Sequence, residues 1–338
     1  MKHKRTIVIA ILSILAILVL ILDTKTALLG ASEGIDLCIR TVIPSLFPFF
    51  FLSKIIISSA DKLSGKLLRP IGMLCRVPVG GEIIFLLGLL GGYPVGAQLI
   101  ETAVAKGSLS KEDGSRMLGF CNNPGPAFIF GVTGLYFEEP YIPWILWGIL
   151  IISSLLTGVI LPGESHSVSN NIHIPKTNYM MDSIKSMATV CGWIVIFRTL
   201  LTILNRWILW LFPSAYKVLF IGLLELSNGC LELSNIQASA NRLIIAAVIL
   251  CIGGLCIAMQ TVSVSPSLNH KTYFIGKVIQ TILIIPLSLI ATMIVFKDTI
   301  IMLYGILFII CILLLFSILI YRRKYISNQK SFDKAISV

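Results

Sequence analysis

The sequence predicts an all-α polytopic membrane protein, with about eight transmembrane helices plus two re-entrant helical hairpins in an inverted repeat. Three observations predict it. Of 338 residues, 56% are hydrophobic and only 13% charged, and the mean hydropathy of +0.93 leaves too little polar surface for a soluble globule. The apolar residues fall in runs long enough to span a bilayer, which takes roughly 20 residues per crossing. Three of these runs are interrupted where a membrane helix should continue: GGYPVGA at 91–97, GFCNNPGPAFIFG at 119–131 and LELSNGCLEL at 224–233.

Residues 1–338 form one membrane domain. MKHKR followed by TIVIAILSILAILVLIL has the basic start of a secretory signal, but the apolar run is long and no small-x-small cleavage site closes it. The reading is therefore a retained first helix with a cytoplasmic N-terminus. An apolar run follows at 40–60, then the basic loop DKLSGKLLRPIGMLCR on the same side as the N-terminus. Segment 80–106 is divided by GGYP and followed by KGSLSKEDGSR, as expected of a hairpin that enters and leaves on the cytoplasmic side. Residues 116–137 cross outward to the acidic turn EEP, 141–161 return, and a polar loop at about 162–178 places Lys176 inside.

The second half comprises 182–206, the broken segment 218–237, then 242–264, 272–296 and 300–321, before the basic tail YRRKYISNQK. With 218–237 as a hairpin, there are eight crossings and both termini are cytoplasmic. The order helix, broken hairpin, crossing with a glycine-rich break, helix then occurs twice, over 40–161 and 182–296. The first unit starts outside and the second inside, so the two are inverted. Inverted repeats with broken helices are a secondary-transporter pattern.

The remaining composition excludes other classes. A net charge of +11 is spread over the ends of apolar runs as topology anchors, so no nucleic-acid partner is expected. The eight cysteines form no Cys-x-x-Cys pair, and His3, His166, His173 and His270 lie in the tail or in loops, so no metal site is expected. No nucleophile with its base, P-loop or hydrolase pattern appears, and the chain reads as a non-enzyme. The expected partners are a small-molecule substrate and the bilayer. No cofactor is expected; a coupling proton or sodium ion and a homo-oligomer stay open.

The breaks supply the candidate site. Pro124 and Pro126 lack backbone donors and Gly125 tolerates unusual dihedrals, so one helix should end near Cys121 and another begin at Pro126. The free amides of the second half-helix, with Asn122 and Asn123, then suit an anionic group near the bilayer middle. The alternative is a proline kink with asparagines satisfied by neighbouring helices. Gly92, Tyr93 and Pro94 form a second break, read as a substrate contact or a tight turn. In the third, Glu225 is a carboxylate in an apolar stretch, with Ser227 and Asn228 beside it and the break expected at Asn228 and Gly229. Glu232 is expected to face water at the surface. In GGLCIAMQTVSV, Gly253 and Gly254 read as helix-packing residues, with Gln260 and Thr261 as polar groups.

SLFPFFFLS, GLLGGYPVGA, RMLGFCNNPGPAFIFG and GLLELSNG resemble motifs of the YlbJ-type sporulation integral membrane proteins of endospore-forming Firmicutes. That family belongs with the nucleoside-recognition (Gate) domain and is distantly similar to concentrative nucleoside transporters. The resemblance spans about 40–265, with the asparagine-proline-glycine motif its most specific part. It implies transport, with dipicolinic acid moved from the mother cell toward the forespore, and a place in the cell membrane or the forespore outer membrane. Carried over by residue, it covers Gly92, Tyr93, Pro94, Gly96, Asn122, Asn123, Pro124, Gly125, Pro126, Glu225, Ser227 and Asn228. The chain is somewhat short for those proteins. A nucleoside carrier and a non-transporting sporulation scaffold are the two alternatives.

Overall fold

A computed structural model describes residues 2–58, 68–163, 178–237 and 239–296. The expected crossing at 300–321, the tail after it, Lys176, His166, His173 and Cys311 lie outside the described residues. Among the described residues the chain is all helical, with no strand.

Helix α1 (Lys2–Leu22) is followed by α2 (Thr24–Leu37) and α3 (Ile43–Ser58), joined through a π-helical turn at Cys38–Val42. The run at 40–60 therefore starts at Thr24, well before the sequence pattern indicates. The extension carries Gly30 and Gly34, whose faces lie against the backbone of Thr199 and Val195. These small residues let α2 approach the long helix opposite it closely, a packing signal rather than a hydropathy signal.

The short α4 (Arg69–Leu74) leads to α5 (Gly81–Gly91) and α6 (Val95–Ala105), then α7 (Lys111–Cys121), α8 (Pro126–Gly131) and α9 (Ile142–Ile160). After these come α10 (Tyr179–Trp207), α11 (Ser214–Leu224), α12 (Leu226–Leu231), α13 (Ser239–Ile252), α14 (Gly254–Val264) and α15 (His270–Phe296). Among the described residues, five stretches are long and apolar enough to cross a membrane: Thr24–Leu52, Ile142–Ile160, Tyr179–Trp207, Ser239–Val264 and His270–Phe296. Segment 116–137 is broken where expected, into two short helices of 11 and six residues, because the Asn-Asn-Pro-Gly stretch stops α7 at Cys121 and α8 starts at Pro126.

The order of a long helix, a folded-back pair, a broken helix and a long helix occurs twice. The first set is α2–α3, α5/α6, α7/α8 and α9; the second is α10, α11/α12, α13/α14 and α15. In the first pair α5 and α6 pack on each other around Gly92, whose φ of +71° suits glycine alone at no cost. A Cβ on Gly92 would also strike the Gly125 amide, at 2.6 Å, so the tip of the pair is pressed against the α7/α8 break. In the second pair the backbones of Gly222 and Gly229 touch, and Gly254 lies against the Gly222 and Leu223 carbonyls. Each folded-back pair thus docks its tip on the broken helix that follows it.

Two readings are corrected here. The break in 218–237 falls at Glu225, which is extended (φ −146°, ψ 123°), while Asn228 and Gly229 are helical. Gly229 permits close approach to Gly222 instead of breaking the chain. Gly253 and Gly254 do more than pack: both have positive φ, +75° and +76°, and they interrupt the apolar run between α13 and α14.

Helix α15 crosses α7 at Gly119 and Gly276, where an added Cβ on Gly276 would collide with the Gly119 backbone. Gly276→Val is therefore expected to push the two helices apart and destabilise the fold by at least about 1–3 kcal/mol. Thermal unfolding in detergent, compared with the exposed-face variant Ile275→Val, measures it.

Candidate functional site

The site is built from helix ends that the breaks leave open. The break at Gly253 frees the last carbonyls of α13, which have no intrahelical partner. The Tyr93 hydroxyl, carried by the α5/α6 turn, lies 3.2 Å from the Leu250 carbonyl and 3.3 Å from that of Cys251. The first folded-back pair thereby caps the broken helix of the second set.

The same hydroxyl accepts a hydrogen bond from Lys277 Nζ at 3.1 Å. Lys277, on α15, also donates to Asn123 Oδ1 at 3.3 Å and Gln280 Oε1 at 3.1 Å, and its ammonium lies 5.1 Å from the Tyr93 ring centroid. Gln280 Nε2 donates to the same Asn123 oxygen at 2.8 Å. Asn123 in turn donates to the Phe120 carbonyl at 2.6 Å and to Ser154 Oγ at 3.0 Å. Asn123, Gln280, Ser153 and Ser154 are fully buried and Lys277 nearly so. Among the described residues, no carboxylate lies within ion-pairing distance of Lys277.

Asn122 points elsewhere. It donates to Thr261 Oγ1 on α14 at 2.8 Å, and its own oxygen is buried without a hydrogen-bond partner. Gln260 beside Thr261 is in the same condition, its Oε1 unpartnered. Buried polar atoms of this kind are rare.

At the second break, Glu225 caps α12: its Oε2 accepts from the Asn228 amide at 2.7 Å and from Asn228 Nδ2 at 2.8 Å. Asn228 Oδ1 accepts from Arg198 on α10 at 3.4 Å, and Arg198 pairs with Glu33 of α2 at 3.0 Å. Arg198 also stands 3.9 Å from Glu232, whose side chain is 15% exposed. Glu232 therefore faces this cluster, contrary to the expectation that it faces water. An amide thus bridges the buried Glu225 carboxylate to an arginine held on the two long helices.

Between the two breaks is a cavity of about 40 Å³ lined by Gly92, Tyr93, Pro124, Gly125, Glu225, Ser227 and Gln260, among others. It has room for only about one to three waters. Six of the candidate site residues from the sequence line it, together with Gln260. Asn122, Asn123 and Asn228 lie behind that wall, in the polar clusters that hold it. Pro126 occupies the first turn of α8 and Pro94 precedes α6. Helix α8 begins at Pro126, as expected, and at six residues it contributes little helix dipole.

Lys277, Gln280 and Arg198 were not legible from the breaks, but a signal existed. Lys277 is a lone cation in YFIGKVIQTILIIP, with Gln280 three residues on and so on the same helix face. Arg198 is likewise a lone cation within GWIVIFRTLLTIL.

The fold and this polar centre define an integral membrane protein whose charged groups sit where paired broken helices meet. The chain is similar to the sporulation integral membrane protein YlbJ of Bacillus subtilis (strain 168), at 23% identity over 301 residues, 74% of each chain. The YlbJ-type resemblance carried by the motifs is shown by that similarity, and a sporulation integral membrane protein is what the relative is named. No protein-family model matches the chain, and no solved structure does.

Proposed function

We propose that the protein is a membrane carrier of a small organic anion, dipicolinate moved from the mother cell toward the forespore during sporulation. The observation that carries this reading is Lys277, a buried ammonium with neutral acceptors and, among the described residues, no carboxylate beside it, bonded to the hydroxyl of Tyr93, which lines the cavity. An uncompensated charge in an apolar interior is costly, and an anion held nearby offsets it. The relative's sporulation role supplies the setting.

Ligand pockets ordinarily measure about 300–1,000 Å³, far more than the 40 Å³ between the breaks. The reading therefore requires the tips at Gly92 and Glu225 to part when substrate binds. The 11-residue arms α5, α6 and α11 are each about 16 Å long, half of a hydrocarbon core of about 30 Å. This favours eight crossings with two re-entrant hairpins on opposite sides, and both termini in the cytoplasm. The membrane would be the cell membrane or the forespore outer membrane.

One observation favours a second reading, a nucleoside-type carrier: Glu225 and the unpartnered Gln260 oxygen both line the cavity with acceptors, which suit the hydroxyl and amino donors of a neutral ligand. Equilibrium binding of dipicolinate and of a nucleoside panel to the purified protein separates the two. The anion reading expects saturable dipicolinate binding that Glu225→Gln leaves intact or strengthens, because a like charge is removed. Nucleoside binding abolished by Glu225→Gln would replace it with the second reading, and no binding of either ligand would leave the scaffold.

A further inference from the structure

Lys277 has a consequence for energy coupling. Its ammonium uses three acceptors, Tyr93, Asn123 and Gln280, at 3.1–3.3 Å, and all are neutral. The titratable groups that face it are Tyr93 from the α5/α6 turn, Cys251 from α13 and Tyr273 one turn earlier on α15. The break after α7 and helix α9 present only the neutral Asn123, Ser153 and Ser154. Nothing among the described residues therefore holds a permanent negative charge against this lysine. The neutral amine keeps two N–H donors for Asn123 and Gln280, and its lone pair can accept from the Tyr93 hydroxyl if that proton turns away from the α13 carbonyls.

We propose that Lys277 is the proton-coupling group of the carrier: it holds a proton while an anion occupies the site and releases it when the anion leaves, so that anion and proton move together. The inference rests on the anion-carrier reading. On release the N–H bond breaks, its electron pair stays on Nζ, and water takes the proton. The coupling is reciprocal: an anion that stabilises the ammonium raises its hold on the proton, and the protonated lysine raises affinity for the anion by the same factor. The fixed site needs no metal cation, and the balancing charge comes from the lysine itself.

The test uses the full chain in detergent and in proteoliposomes, with labelled dipicolinate as probe. In weak buffer, dipicolinate binding to the wild type is expected to take up protons. In vesicles, an inward proton gradient should drive uptake in choline medium as well as in sodium medium. Lys277→Arg keeps the charge but cannot give up its proton, so it should still bind and exchange dipicolinate while losing gradient-driven accumulation. Lys277→Met keeps the stem and removes the charge, so affinity should fall about ten- to a hundredfold. Binding without proton uptake, sodium-dependent accumulation, or wild-type proton-driven accumulation by Lys277→Arg overturns the coupling role while leaving the carrier reading standing. Absence of any dipicolinate binding to the wild type overturns both.

Discussion

Asn123→Leu is expected to abolish transport by a protein that still reaches the membrane, whereas Asn122→Leu is expected to impair it less. The two asparagines are adjacent, yet their side chains serve different helices. Asn123 Oδ1 takes hydrogen bonds from both Lys277 and Gln280, and its amide group holds Ser154 and the end of α7. Removing it strips a buried ammonium of an acceptor, a loss of about 1.5–3 kcal/mol for a charged hydrogen bond, and leaves the Gln280 amide only its longer 3.4 Å bond to Ser153 Oγ. That corresponds to roughly a ten- to hundredfold loss at the level of binding. Asn122 gives up one neutral bond, to Thr261, and takes with it an oxygen that was already unpartnered. Uptake normalised to membrane-inserted protein, measured for both variants, checks the split. Equal losses would mean that the pair acts only by breaking the helix.

The second large effect is on stability. Arg116→Met is expected to destabilise the first half by about 3–5 kcal/mol, because it leaves several buried carbonyls unpaired at about 1–3 kcal/mol each. The Arg116 guanidinium is buried and donates to four main-chain carbonyls, those of Cys75, Arg76, Gly158 and Leu161. Gly158 and Leu161 close α9, whose last carbonyls have no partners within the helix. Cys75 and Arg76 follow α4, where Arg76 has a positive φ of 52°. One side chain therefore ties α4, α7 and α9 together, and methionine of similar length cannot supply any of the donors. Thermal unfolding in detergent with limited proteolysis in the 68–80 region measures the effect. An unchanged midpoint would show that water satisfies these carbonyls without the arginine.

Much of this molecule is written locally. Helical class, membrane location and the places where the helices stop follow from residue type at short range: Pro124 and Pro126 cannot continue α7, and Gly92 can take a positive φ that other residues resist. The sequence also placed Glu225 at a polar interruption, and six of its candidate site residues line the cavity.

What the tertiary structure alone decided is which interruptions face one another. A proline ends a helix whatever lies nearby, but the partner of a buried amide is set by how distant helices cross. That is why Asn123 meets Lys277, 154 residues away in the chain, why Tyr93 caps α13, and why Gly229 proved to be a contact with Gly222 instead of a break. It is also why Lys277 passed as part of an ordinary membrane helix: a cation in an apolar run announces that something must satisfy it, while only packing names what does.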